Sequence, residues 1–422
     1  MDALAYVNQL GESARRAAAR LVTLDGATKV AILRQIAQAL RDREQPLLDA
    51  NAKDIQAAEA AHLEAPLVHR LRLDAKKIAA MADGVEKIAA QTDPVGQTLE
   101  GYVRPNGLRI EKRRVPLGVV LFFYESRPNV TSDAAALCIK SGNAVILRGG
   151  KEAFHSNKAI VEIIHSVLST QSSSLTGAVQ LVESTDRSLV PHLLKLDKHI
   201  DLVIPRGGES LIRAVVKEST IPVLKHYTGN CHIYVDSELH GMKEQFVSVC
   251  VNAKTSYPGG AVCNAVEHLL FHESIAPAML PKVSEALAAK QVEIRGDEAA
   301  RKLFPAAKPA SGEDWDTEYL DFIVGVKVVR DIDDAIDHIN RHGSHHTDAI
   351  LSSSKRNIDR FVQRVDSASV MVNASTRFAD GGEFGLGAEI GISTDKLHAR
   401  GPMGATDLTT YKWIVTGDGH VR

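Results

Sequence analysis

The chain has 422 residues, 44% apolar and 24% charged, which suits a globular enzyme of two or three domains and excludes a disordered, collagenous or coiled-coil chain. Fifty basic and 52 acidic side chains leave a formal net charge of −2, so no electrostatic footprint for nucleic acid is expected. Four cysteines without a C-x-x-C pair cannot build a disulfide framework, and the longest apolar run, Val115 to Phe123, is broken by Pro116 and Gly118, far short of the ~20 residues that span a bilayer; a reduced, cytoplasmic protein without a membrane partner is expected.

The N-terminus carries Asp2 where a secretory signal would carry positive charge. Through the first ~95 residues the period is helical, with Val30, Leu33, Ile36 and Leu40 on one face. Asp93-Pro94-Val95-Gly96 ends that pattern. Alternation on both sides of Pro105-Asn106-Gly107 predicts a β-hairpin, Tyr102 to Arg114. The basic cluster Lys112-Arg113-Arg114 has no interleaved aromatic and reads as a solvated strand end.

From Leu117 the rhythm becomes strand, turn, helix. Strands are predicted at Leu117–Tyr124, Ala144–Leu147, Val179–Val182, Leu202–Ile204, Ile221–Leu224 and His232–Val235. Helices separate most of them, the first capped by Ser132-Asp133. Short apolar strands alternating with helices imply a doubly wound parallel sheet, which binds ligands beyond the carboxyl ends of its strands. A second alternating block runs from about Gly241 to Asn373, and a glycine-rich loop follows it.

Several motifs fail on inspection. Gly149-Gly150-Lys151 lacks the first glycine and the Ser or Thr of a phosphate-binding loop, because Val145 and Glu152 stand there. Gly385-Leu-Gly387-Ala-Glu-Ile-Gly391 is one residue too long for a dinucleotide fingerprint. His338, His342, His345 and His346 have metal-like spacing, but the first two fall at the end of a polar helix with no cysteine near. A solvated or substrate-facing cluster is expected there, and no metal.

Two strand ends suit an anion. Arg148-Gly149-Gly150-Lys151 follows one strand, and Pro205-Arg206-Gly207-Gly208 opens a helix after another. Bare glycine backbone admits a ligand, helix N–H groups attract phosphate, and cations assist. Ordinary glycine turns are the competing reading. Cations at Arg148 and Lys151 suit a ribose 2′-phosphate, and Glu152 is a contrary signal. Cys138 and Cys250 sit mid-helix and Cys231 abuts a strand, as small buried hydrophobes do. Cys263 instead lies on the loop SYPGGAVCN, which can expose a thiol and offer backbone N–H groups to an oxyanion.

The segment SYPGGAVCNAVEHLL resembles the nucleophile loop of the aldehyde dehydrogenase superfamily, and VPLGVVLFFYESRPNV with SGNAVILRGGKEA resembles its first cofactor-domain strands. More specifically, YESRPNVTSD, DLVIPRGG and NASTRFADGGEFGLGAEIGISTDKLHARGPMG resemble the gamma-glutamyl phosphate reductase family, over nearly the whole chain. The resemblance implies an aldehyde dehydrogenase-like α/β fold: a cofactor domain over residues 1–101 and 116–236, a catalytic domain over 237–400, and an oligomerisation arm from 102–115 and 401–422. It implies NADPH-dependent reduction of glutamyl 5-phosphate, with Cys263 attacking the acyl carbon, phosphate leaving and a thioester forming. Asn129 is either an oxyanion donor beside the Cys263 N–H or a plain turn residue. Glu318 is either the holder of the nicotinamide ribose or a surface acid. Arg377 either grips the substrate's carboxylate or acyl phosphate or pins its own loop to Asp380 or Glu383. His345 is a weaker candidate of the same kind.

A homo-oligomer, dimer or tetramer, and a functional partnership with glutamate 5-kinase also follow from the resemblance, since the acyl phosphate is labile. Where hydrolytic members of the superfamily carry a glutamate to activate water, this chain reads His226-Tyr227-Thr228-Gly229-Asn230. That argues against a hydrolytic, NAD-dependent semialdehyde dehydrogenase. The cysteine argues against a nucleotide-binding scaffold without catalysis.

Overall fold

The computed structural model describes residues 2–422, which form two compact units. The first comprises the chain up to Lys225, with Gly385–Gly391 and Pro402–Arg422. It opens with helices α1 (Ala3–Leu21), α2 (Gly26–Asp42), α3 (Glu44–Ala60), α4 (Ala65–Leu71) and α5 (Ala75–Ala90). Aspartates start three of them: Asp2, Asp25 and Asp74 accept from Leu4, Thr28 and Lys77 N–H groups, satisfying donors that a helix leaves unpaired. In α2 the buried face is Ile32, Leu33, Ile36 and Leu40. Lys29 is also buried there, paired with Asp93 at 2.6 Å.

Strands β1 (Thr98–Val103) and β2 (Arg109–Pro116) form the expected hairpin, and the C-terminal strand Thr409–Thr416 completes an antiparallel three-stranded sheet. Its basic cluster is ordered by aromatic neighbours: Lys112 Nζ lies 4.0 Å from the centre of the Tyr411 ring.

The first unit's main sheet has β3 (Val119–Phe123), β4 (Ala144–Arg148), β5 (Val179–Leu181) and β6 (Leu202–Pro205), parallel, in the order β5-β4-β3-β6. Helices α6 (Pro128–Ser141), α7 (Phe154–Gln171), α8 (Leu189–Leu193) and α9 (Glu209–Glu218) alternate with these strands. Helix α6 starts at Pro128, earlier than expected, because proline's fixed φ suits a first helical position. Ser132 and Asp133 therefore lie inside α6 and do not cap it, and the Ser132 hydroxyl donates to Asn129 O. Ile221–Leu224 contributes one bridge, Val203 to Val223, in place of a strand, since Pro222 has no N–H to donate.

The second unit comprises His226–Phe384 and Ile392–Gly401. Its strands are β7 (Cys231–Val235), β8 (Val266–His272), β9 (Glu293–Gly296), β10 (Lys308–Pro309), β11 (Ile323–Val329), β12 (Thr347–Leu351) and β13 (Ser369–Val372), all parallel, in the order β10-β9-β11-β8-β7-β12-β13. Helices α10 (Lys243–Thr255), α11 (Ala276–Ala288), α12 (Glu298–Leu303), α13 (Ile332–His342) and α14 (Lys355–Arg364) cover it. The expected placement of His232–Val235 in the first sheet is corrected. β7 is central in the second sheet, with Ile233 opposite Leu269 on one side and Ala349 on the other. A strand apolar on both faces takes the neighbours that bury both, so the first unit ends at Lys225 and not at 236.

Candidate active site

Three neighbouring strands, β8, β7 and β12, run parallel in the second unit, so the segments entering their amino ends lie side by side. Those segments are Ala261–Ala265 with Cys263, His226–Asn230, and His345-His346. Chain order separates them, and sheet order assembles them. Ligand-type atoms of His226, Cys263 and His346 all lie within 4.8 Å of one another.

Each group has a fixed support. His226 Nδ1 lies 2.8 Å from Ile392 O, and a carbonyl only accepts, so Nδ1 carries the proton. His346 is fully buried, with Nδ1 2.9 Å from Thr347 Oγ1 and Nε2 without a hydrogen-bond partner. The two rings meet edge to face, 5.2 Å between centres. Cys263 is half-buried between them. Burial by itself would push its thiol up, but the charge of His346 and then a hydrogen bond with His226 hold it well below the ordinary thiol range. A stable thiolate is a nucleophile at neutral pH.

The backbone under this thiolate admits no side chain at Gly229, where a Cβ would stand 1.9 Å from Cys263 O. The Gly229 N–H donates to Glu318, whose carboxyl is raised by burial and secondarily by the Cys263 charge. Glu318 thus faces the site and is not a plain surface acid. Cys231 is buried as expected, yet its thiol donates to Cys263 O at 3.2 Å. Burial and nearby carboxylates keep that thiol far above its ordinary range, so it stays protonated. Beneath the loop, Lys254 at the end of α10 pairs with Glu267 of β8 at 2.7 Å, both fully buried. These residues flank the loop that bears Cys263.

The glycine-rich segment after β13 also reaches this loop. Asn264 Nδ2 donates to Ala379 O at 3.0 Å. The Arg377 guanidinium donates to Ser256 Oγ at 3.2 Å and sits 5.6 Å from the Tyr257 ring centre. Arg377 therefore joins the nucleophile loop. His345 has left-handed backbone, φ 59°, and places Nδ1 2.7 Å from Asp366 O. The histidine that reaches Cys263 is His346. The cluster expected at a solvated helix end is also revised: His338 is only 7% exposed and packs against His232, Trp315 and His342. The apolar face of α13 carries it inward.

In the first unit, a cavity of about 540 Å³ lies at the carboxyl ends of β3 and β4, lined in part by Arg148, Gly149, Gly150, Lys151, Arg187 and Leu211. Arg148 donates to Gly149 O at 2.9 Å, while its buried Nε has no partner. Burial and then Arg187 depress its pKa, so three cations share this cavity and suit an anionic group. Gly149 and Gly150 serve packing, since a Cβ would meet Asn157 at 2.3 Å and Ser126 at 2.2 Å. Glu152 is occupied by Ser126 at 2.6 Å. Pro205 ends β6, and the Arg206 N–H donates to Phe123 O. A Cβ on Gly207 would lie 3.1 Å from Leu211, whereas Gly208, at the start of α9, faces open space. Asn129 is exposed and donates to Asp133 at 3.2 Å; burial raises Asp133 to about 6, against the opposing pull of Asn129 and Arg206. The buried, unpartnered Arg148 Nε and the flanking cations fit an anionic group such as a phosphate.

The aldehyde dehydrogenase family model matches residues 3–310, and the chain belongs to that family. Within it the chain belongs with the gamma-glutamyl phosphate reductases. It is 50% identical to the Caldanaerobacter subterraneus gamma-glutamyl phosphate reductase, covering 97% of this chain and 98% of that protein. Identity to the Rhodopirellula baltica enzyme is 51%, over 100% and 96% of the two chains. The crystal structure of the Thermotoga maritima gamma-glutamyl phosphate reductase superposes with a TM-score of 0.94 at 44% identity, covering 99% of each chain. The expected α/β fold of an aldehyde dehydrogenase-type oxidoreductase, which uses a nicotinamide cofactor, is borne out. No helix among the described residues is long and apolar enough to cross a membrane.

Proposed function

We propose that this protein reduces L-glutamyl 5-phosphate to L-glutamate 5-semialdehyde and phosphate, with NADPH, through a thioester on Cys263. The observation that carries the reading is the placement of the Cys263 sulfur within 4.8 Å of ring nitrogens of both His346 and His226, which favours the thiolate. The thiolate attacks the γ-acyl carbon, the C–O bond to phosphate breaks, and phosphate leaves with that electron pair. A nicotinamide cofactor would supply hydride to the thioester carbon. The resulting hemithioacetal oxyanion collapses to the aldehyde as the C–S bond breaks, and Cys263 departs as thiolate, stabilised again by the two imidazoles.

Arg377, anchored on the nucleophile loop, is assigned to the substrate's carboxylate or phosphate, which a guanidinium can grip in bidentate fashion. Glu318 is assigned to the nicotinamide ribose. Arg148, Lys151 and the backbone at Gly208 are assigned to the cofactor's phosphates, with the 2′-phosphate favouring NADPH. Asn129 is assigned to the oxyanion beside the Cys263 N–H. The three-stranded sheet is read as an oligomerisation arm, glutamate 5-kinase as the supplier of the labile acyl phosphate, and the cytoplasm as the location.

The test is the reverse reaction, followed at the nicotinamide absorbance band with glutamate semialdehyde and NADP, with and without phosphate. Turnover should require phosphate. Phosphate-independent conversion to glutamate would overturn the proposal in favour of a hydrolytic dehydrogenase.

A further inference from the structure

We infer that His226, Cys263 and His346 form a reversible site for a thiophilic divalent cation of the zinc class, which occupies the sulfur in place of substrate. The ligand atoms lie within 4.8 Å of one another. A tetrahedral site with Zn–S near ~2.3 Å and Zn–N near ~2.0 Å places its donors about 3.5 Å apart, so side-chain shifts of about 1 Å close the set.

Three further observations favour a metal. His226 Nδ1 is tied to Ile392 O at 2.8 Å and His346 Nδ1 lies 2.9 Å from Thr347 Oγ1, so Nε2 is the nitrogen of each ring that a metal would take, replacing the His226–Cys263 hydrogen bond. Metal-binding histidines are oriented in this way, with the second ring nitrogen held by an oxygen. His346 is fully buried, and its Nε2 has no hydrogen-bond partner. The donor set is one sulfur and two imidazoles, which selects zinc or cobalt over magnesium or calcium. Cys263 and His226 are both half-buried, so the fourth position stays open to water and the ion can leave. Binding forms one metal–sulfur and two metal–nitrogen bonds, displaces water and any proton on the ligands, and changes no oxidation state.

The metal site stands on geometry alone, while its blocking effect rests on Cys263 being the nucleophile. The test is titration of chelator-treated protein with Co²⁺, read by the thiolate-to-cobalt charge-transfer band. The band should saturate at about one cobalt per chain and disappear on adding Zn²⁺, with Mg²⁺ inert. Cys263→Ser should abolish it, and His226→Ala or His346→Ala should each weaken binding about tenfold or more, as loss of a metal-supporting group does. Cys138→Ala should leave it intact, and circular dichroism confirms that each variant is folded. Zn²⁺ should also slow alkylation of Cys263 at least tenfold, with recovery on adding EDTA. No band, a band that survives Cys263→Ser, or affinity unchanged in both histidine variants would overturn the site. If Cys263→Ser abolishes turnover but wild type shows no band, the metal site fails and the reductase reading stands. If the band forms but Cys263→Ser keeps turnover, the reverse holds.

Discussion

At Cys263 the balance is between burial, which favours the thiol, and two imidazoles, which favour the thiolate. The imidazoles win, and the thiol pKa lies well below its ordinary range. Alkylation by iodoacetamide should therefore stay fast as pH falls through neutral, since the thiolate persists until pH reaches the lowered pKa. His346→Ala should move the midpoint of that profile upward, and an unmoved midpoint would remove His346 as the stabiliser. Cys263→Ala should abolish turnover and leave NADPH binding unchanged, measured by fluorescence titration; residual activity above about a tenth of wild type would exclude Cys263 as nucleophile. In the first unit, Arg148→Ala should raise KM for NADPH far more than for NADH, because the proposed role of the buried Nε and its neighbouring cations is to meet the phosphate that only NADPH carries. Equal losses for both cofactors would make Arg148 structural.

Elements hold these residues in place. Helix α10 and strand β8 are tied at both ends of the nucleophile loop by the buried Lys254–Glu267 pair, and burial raises Glu267 to about 7 against the opposing charge of Lys254. Glu267→Leu would leave Lys254 as an uncompensated buried charge, at a cost of about 3–5 kcal/mol in urea unfolding. A loss below about 1 kcal/mol would show that the pair contributes little. Helix α13 and strands β7 and β8 supply a second buried group. Burial holds His268 well below its ordinary value, and His338 is lowered to about 2 by burial and then by the neighbouring histidines. Above the ordinary pKa of ~6.5 both are neutral whether folded or unfolded. Below it the unfolded chain binds protons that the fold excludes, so stability falls by about 1.4 kcal/mol per pH unit for each histidine down to its folded value. The melting temperature should drop between pH 7 and pH 5, and His338→Leu should shrink that drop. An unaltered pH dependence in the variant would refute the assignment.

For the whole molecule, the three-stranded sheet leaves Tyr102, Tyr411, Trp413 and Val415 exposed on one face. Such a patch is unusual on an isolated chain. Light scattering at micromolar concentration should report a dimer or larger, and Trp413→Glu should shift it toward monomer; a monomeric wild type would refute the arm.

Much of this was legible in the chain itself. Three- and four-residue apolar spacing marked α2, alternation around Pro105-Asn106-Gly107 marked the β1–β2 hairpin, and short apolar runs marked β3, β4, β5 and β6, because local periodicity reports the face that must be buried. The polar loop singled out Cys263 among four cysteines. Pairing between distant strands has no local signature. For that reason β7, whose neighbours in sequence are the strands of the first sheet, reads as part of that sheet while it belongs to the second. His346, four residues beyond the end of α13, is one of four histidines that read from the sequence as a solvated or substrate-facing cluster. Only the sheet order β8-β7-β12 brings it and His226 to Cys263, and only that proximity makes the thiol acidic. The same is true of Gly229, whose missing side chain matters only because the Cys263 backbone passes beneath it. The sequence determined which residues have the chemistry. Tertiary structure decided which of them share a charge, because Coulombic and hydrogen-bonding forces act across ångströms of space and not along the chain.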